Sequence, residues 1–206
     1  MTLEDILRLA PVVPVLTIED EAHAEPLARA LVAGGLYALE VTLRTPAAIA
    51  AIRRMSVVDG AVVGAGTVTT ASARQAVADV GARFAVSPGL IPGETPAGPV
   101  PLLPGVATAT ELMVGLAAGF THFKLFPANV AGGPTALKAF AGPFAEARFC
   151  PTGGVDAQTA EAYLALPNVV CVGGSWVAPA DAVRAGDWAR ITELARAAVR
   201  LGAGRS

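Results

Sequence analysis

LVAGGLYALEVT, residues 31 to 42, passes from a helix-like end through a glycine into a β-branched run. The same change recurs in AVADVGARFAVS, residues 76 to 87, and in GLAAGFTHFKLF, residues 115 to 126. Glycine suits the position just past a helix because it enters the left-handed region without a Cβ penalty. Each copy therefore reads as a helix feeding a strand. Apolar runs of strand length recur along the chain, at 12–17, 38–43, 61–66, 84–87, 101–105, 122–126, 148–152 and 169–173. Near-continuous apolar strands are buried on both faces, as in parallel sheets covered by helices. Eight such units predict a single TIM-type (β/α)8 barrel, with residues 1–206 as one domain. An open doubly wound sheet fits the same alternation and remains the alternative on pattern alone.

Two stretches of this scheme carry local exceptions. MTLEDILRL at the N-terminus predicts a short helix ahead of the first strand. After FAVS the chain reads PGLIPGETPAGPV, with Pro92, Pro96 and Pro99 close together. Proline at this spacing forbids a regular helix, so the helix after strand 4 is expected to be truncated.

Composition bounds the partners. The 206 residues are 53% hydrophobic and 16% charged, enough to bury a substantial core. A formal charge of −2 gives no electrostatic case for binding nucleic acid or an anionic membrane. The N-terminus has no basic stretch leading into a long apolar one, so it does not read as a signal peptide. Prolines break the uncharged stretch at 95–110, which excludes it as a membrane span. Cys150 and Cys171 lie in apolar runs and read as buried thiols of a cytoplasmic protein, although sequence leaves a disulfide open.

Lys124 and Lys138 are the only lysines among fifteen Lys and Arg residues, and Lys124 sits between Phe123 and Leu125. An ammonium is costly to desolvate, so an apolar strand should not carry one without cause. A strand-end lysine can simply extend to the rim. Yet the C-terminal ends of barrel strands carry active sites, and an apolar setting favours the neutral amine that Schiff-base chemistry requires. In LEVTLRT, residues 39 to 45, alternation puts Glu40, Thr42 and Arg44 on one face. That triplet reads as an internal ion pair or as a site. Gly35 precedes Glu40 by five positions, as Gly119 precedes Lys124. Equal registers place the two side chains at similar heights, able to meet across the interior.

Glycine pairs close the last two runs, in PTGGVD (151–156) and VGGSW (172–176). They read as tight turns or as backbone cradles for an anion, and the loops after strands 7 and 8 of such barrels often hold phosphate. Ser175 adds a hydroxyl, and Asp156 can cap the helix expected after the first pair. VVGAGTVT (62–69) is not a dinucleotide fingerprint, since Thr69 replaces its third glycine. Gly64 and Gly66 read instead as points of close approach. His23 and His122 lie apart, and no residues have metal-ligand spacing.

VTLRT, GAGT, SPG, KLFPA, FCPTGG and VGGSW, in this order and spacing, resemble the 2-keto-3-deoxy-6-phosphogluconate (KDPG) aldolase family of class I aldolases. The resemblance runs from about Pro11 to Val199. It implies a (β/α)8 barrel and a homotrimer, with no metal and no cofactor. It also implies reversible cleavage of KDPG to pyruvate and glyceraldehyde 3-phosphate in the Entner–Doudoroff route. Carried over residue by residue, Lys124 is the Schiff-base lysine, Glu40 the proton-transfer group and Arg44 the carboxylate clamp. Thr67 and Pro88 fall near the pyruvyl moiety, with Phe126 beside the lysine. Gly153, Gly154, Gly174 and Ser175 fall at the phosphate. The galactonate epimer and 4-hydroxy-2-oxoglutarate are the alternative substrates. A non-catalytic sugar-phosphate sensor is the rival from another class, and binding alone would need no Schiff-base amine. Asn129, where many members have glutamate, and the truncated helix are the two departures.

Overall fold

The computed structural model describes residues 1–202. A short helix, α1 (Leu3–Leu7), opens the chain, fixed by a capping box in which Thr2 and Asp5 satisfy each other's backbone amides. Parallel strands and helices then alternate: β1 (Val12–Leu16), α2 (Ala24–Ala33), β2 (Ala38–Thr42), α3 (Ala48–Met55), β3 (Val62–Gly66), α4 (Ala71–Asp79) and β4 (Phe84–Val86). Beyond them come β5 (Leu102–Leu103), β6 (Gly105–Val106), α5 (Ala109–Ala117), β7 (His122–Leu125), α6 (Gly133–Ala141) and β8 (Arg148–Phe149). The described chain ends with α7 (Ala160–Leu164), β9 (Val172–Gly174), α8 (Ala180–Ala185) and α9 (Trp188–Arg200).

The expected closed eight-stranded barrel is corrected by the strand pairing. Six parallel strands form one sheet in the order β5-β4-β3-β2-β1-β9, and β6-β7-β8 form a second. The run read as one strand at 101–105 is split by Pro104, which has no N–H to give a ladder. β5 therefore pairs with β4 while β6 pairs with β7, and Pro104 contributes only its carbonyl, to the Lys124 amide at 2.8 Å. The run at 148–152 keeps only two strand residues before Pro151, and beyond them Phe149↔Val169 and Thr152↔Gly173 are isolated bridges. The result is an α/β fold of a half-barrel sheet plus a three-stranded sheet.

Alternation along β1 and β2 sorts the two faces. Val12 and Leu16 join the large cluster against the helices, with Leu39 and Val41. Val13 and Ala38 join a smaller one with Ile6 and Leu7 of α1, Phe84, Leu103 and Cys150. α1 thus covers the N-terminal end of the face that carries Glu40 further along. Burying Ile6 and Leu7 contributes about 1.5–3 kcal/mol each. Cys150 and Cys171 are both buried.

Between β4 and β5 no helix forms, and residues 87–101 are irregular. A buried arginine takes over the helix's task. Arg74 of α4 donates through Nε to the Val100 carbonyl (3.0 Å) and through Nη2 to Val100 (2.6 Å) and Pro96 (3.2 Å). Its Nη1 donates to the Thr95 carbonyl (3.0 Å) and pairs with Glu94. Gly98 leaves room for the guanidinium, since a Cβ there would lie 2.5 Å from Arg74 Cζ.

Candidate active site

β7 and β2 bring the lysine and glutamate together. Lys124 and Glu40 are 4% and 3% exposed, and Nζ lies 3.3 Å from Oε1. Gly35 and Gly119 both adopt left-handed φ, at 92° and 91°, so the equal five-residue counts start from equivalent turns. The Glu40 carboxylate lies over β3, where Gly66 is required: a Cβ there would sit 2.1 Å from Oε1. Nζ also sits 5.0 Å from the centroid of the half-buried Phe126 ring, a cation–π distance. Lys138, by contrast, is exposed on α6. An ammonium with three donors and a single hydrogen-bond partner among the described residues is under-satisfied for its burial. Transfer of a proton from Nζ to Glu40 would leave a nucleophilic amine next to a carboxylic acid.

The remaining positions gather at the same strand ends. Arg44, just beyond β2, is exposed and donates through Nε to Thr67 Oγ1 at 3.1 Å. Thr67 holds φ at 60°, an uncommon conformation for a β-branched residue that turns its hydroxyl toward Arg44. Among the described residues no carboxylate pairs with Arg44, so its fork is open to a carboxylate from outside. Pro88 is exposed, and its carbonyl fills the space a Cβ on Gly105 would occupy. Gly105 is the strand partner of Lys124, so Pro88 reaches the lysine's edge.

The glycine pairs lie side by side because Thr152 bridges Gly173. Gly153 and Gly154 hold φ at 96° and 71°, and neither amide hydrogen-bonds to the backbone among the described residues. Successive amides without a backbone partner are the kind of group that can face an anion. Ser175 is exposed beside it. The next helix begins only at Ala160, and Asp156 instead caps the intervening turn, accepting from the Gln158 and Thr159 amides at 3.0 and 2.9 Å. Hydrogen bonds from Thr159 hold the Asp156 carboxyl below the usual range. Gly174 answers to packing, since a Cβ there would fall 1.7 Å from the Trp176 ring.

Thr152, the packing of Asn129 and Thr17 escaped sequence reasoning. Thr152 is buried, with Oγ1 donating to the Cys150 carbonyl at 3.3 Å, and it occupies the space that Gly173 leaves. Asn129 packs on Gly154, where a Cβ would come within 2.2 Å of its carboxamide. Thr17 follows β1 and touches Thr42. The glycines opposite the first two side chains were visible in the sequence. What each made room for was not.

Comparison with known proteins points one way. The sequence model of the family described as KDPG and KHG aldolase matches residues 3–194. A 2-dehydro-3-deoxy-phosphogluconate aldolase of Pseudoalteromonas atlantica is 52% identical over 205 residues, covering 98% of this chain and 95% of that protein. The KHG/KDPG aldolase of Escherichia coli K12 is 52% identical over 200 residues, covering 95% and 94%. The crystal structure of KDPG aldolase from Legionella pneumophila, with pyruvate captured as a covalent carbinolamine, superposes with a TM-score of 0.93 at 46% identity. It covers 97% of this chain and 98% of that one.

Proposed function

The chain belongs to the KDPG and KHG aldolase family, and from that premise we infer that it is a class I aldolase cleaving KDPG through a lysine Schiff base. The observation that carries the residue assignment is the buried contact between Lys124 Nζ and Glu40 Oε1 at 3.3 Å. Glu40 takes a proton from Nζ, and the amine attacks the C2 ketone. The resulting carbinolamine loses water with a proton from Glu40, leaving an iminium. Glu40, again a carboxylate, takes the C4 hydroxyl proton as the C3–C4 bond breaks. The bonding pair flows into the iminium and leaves an enamine, and glyceraldehyde 3-phosphate departs. Protonation at C3 and hydrolysis then release pyruvate and restore the amine. Arg44, backed by Thr67, holds the C1 carboxylate. The amides of Gly153 and Gly154 with the Ser175 hydroxyl hold the phosphate.

The smaller 4-hydroxy-2-oxoglutarate is a second substrate on this reading, favoured by the dual name of the Escherichia coli relative. The protein works in the cytoplasm, in the Entner–Doudoroff route, as a homotrimer. Exposed Met113 and Val114 on α5 and Val130 beyond β7 offer apolar surface for self-association. No described helix is long and apolar enough to cross a membrane.

The test is chemical trapping. Pyruvate and borohydride should add a stable label to one peptide, containing Lys124, and coupled assay should show turnover of KDPG. Label on Lys138, or none, removes the assignment.

A further inference from the structure

We propose that Thr17 is a specificity-determining residue, accepting a hydrogen bond from the substrate hydroxyl next to the reacting carbons on the phosphate side. The inference rests on the aldolase reading above and names a contact which that reading does not need.

The position comes from strand register. Val15 of β1 pairs with Glu40 of β2, so Thr17 lies opposite Thr42, on the face that carries Glu40. Two residues of strand place it roughly 6–7 Å beyond the Glu40 level, toward the open end. On its other side β1 pairs with β9, Pro14 opposite Gly174, so β1 stands between the strand that carries Glu40 and the loop holding Ser175. Thr17 thus lies between the group that handles the C4 hydroxyl and the residues proposed for the phosphate. The part of KDPG spanning that interval is C5 with its hydroxyl.

The polarity comes from proton counting. Thr42 is fully buried, and its Oγ1 donates to the Leu16 carbonyl at 3.0 Å. A hydroxyl has one proton, so in the 3.2 Å contact between the two threonines Thr17 must be the donor. Its proton is directed inward along the chain Thr17 to Thr42 to Leu16. Thr17 is exposed as a residue, and with its proton engaged its oxygen has only lone pairs to offer a partner at the mouth. Such an oxygen welcomes a hydroxyl, which biases the site toward an acceptor that carries one.

The test removes the hydroxyl from each side in turn. Condensation with pyruvate is followed for glyceraldehyde 3-phosphate and for its 2-deoxy analogue, 3-phosphooxypropanal. A site that hydrogen-bonds a substrate hydroxyl rejects the analogue lacking it. Thr17→Val keeps the shape and β-propensity of the residue. It should reduce the preference for the hydroxylated acceptor, measured as a ratio of kcat/KM, by about tenfold. Thr17→Ser should keep that preference. A ratio from one preparation is independent of the folded fraction, so a strand-tying role alone would leave it unchanged. An unchanged preference in Thr17→Val, or none in the wild type, overturns the inference alone. A wild type that condenses pyruvate with neither aldehyde overturns the functional reading and the inference with it.

Discussion

Two buried cations, each facing a carboxylate, sit in different parts of the molecule and are treated in opposite ways. Arg74, 1% exposed, has its guanidinium surrounded by the carbonyls of Thr95, Pro96 and Val100 and by Glu94. All its donor nitrogens are engaged. Lys124, 4% exposed, has one carboxylate oxygen at 3.3 Å and the face of a ring at 5.0 Å. Burying a charge is tolerable when every donor finds a partner, and the result is rigidity. Arg74 uses that to hold a proline-rich segment that cannot form a helix. A buried charge left with donors unused at an open strand end is a group that can still take a new partner. The same contrast extends to the neighbours: Arg44's open fork and the free amides of Gly153 and Gly154 lie at the lysine's end of the strands.

The comparison breaks most readily at the lysine. Lys124→Met should bring turnover to background and abolish borohydride trapping with pyruvate, read by mass spectrometry. Glu40→Gln should lower turnover by about 10²–10⁴-fold, the usual contribution of general acid–base catalysis. Some trapping should survive, because the amine remains. Turnover at the wild-type rate in Glu40→Gln would show that the buried pair is structural, like the one it is contrasted with. Stability gives the converse test. Arg74→Met strands Glu94 and the carbonyls gathered around the guanidinium and should cost about 3–5 kcal/mol in urea unfolding. The double variant Lys124→Met with Glu40→Gln should be no less stable than wild type, because it removes an ill-satisfied pair entirely. Equal destabilisation of the two would erase the distinction.

Much of this was legible in the sequence because it depends on local counting. Five residues from Gly35 and from Gly119 lead to the two side chains that meet, and alternation along LEVTLRT put Glu40 and Thr42 on one face. The three prolines after FAVS foretold the missing helix. Closure was not legible. A run such as PLLPG looks like one strand, but whether Pro104 interrupts a ladder depends on which neighbour needs its absent N–H. Arg74 escaped notice because it stands in an ordinary helical stretch, and its acceptors come from residues 94–100. Gly154 shows in the sequence only that a side chain is missing, and Asn129 packs into the space beside it. Sequence shows where a side chain is missing, and only the packed chain shows what fills the gap.

The smallest expected effect concerns the open amides. If they hold phosphate, the contacts position the substrate away from the bond being broken and should not alter imine formation. Gly154→Ala is a poor probe: φ of 71° disfavours alanine, and the new Cβ would collide with Asn129 at 2.2 Å. It should shift the loop and penalise phosphorylated and unphosphorylated acceptors alike. Ser175→Ala is the clean probe, because the residue is exposed. A lost hydrogen bond to a charged group costs about 1.5 kcal/mol at the lower end, so kcat/KM for glyceraldehyde 3-phosphate should fall roughly tenfold. The fall with unphosphorylated glyceraldehyde should be under about twofold, and pyruvate trapping on Lys124 should be unaffected. A loss of equal size with both aldehydes would mean that the glycine loops are only turns, and that the unsatisfied polar groups at this end belong to the lysine and its carboxylate clamp alone.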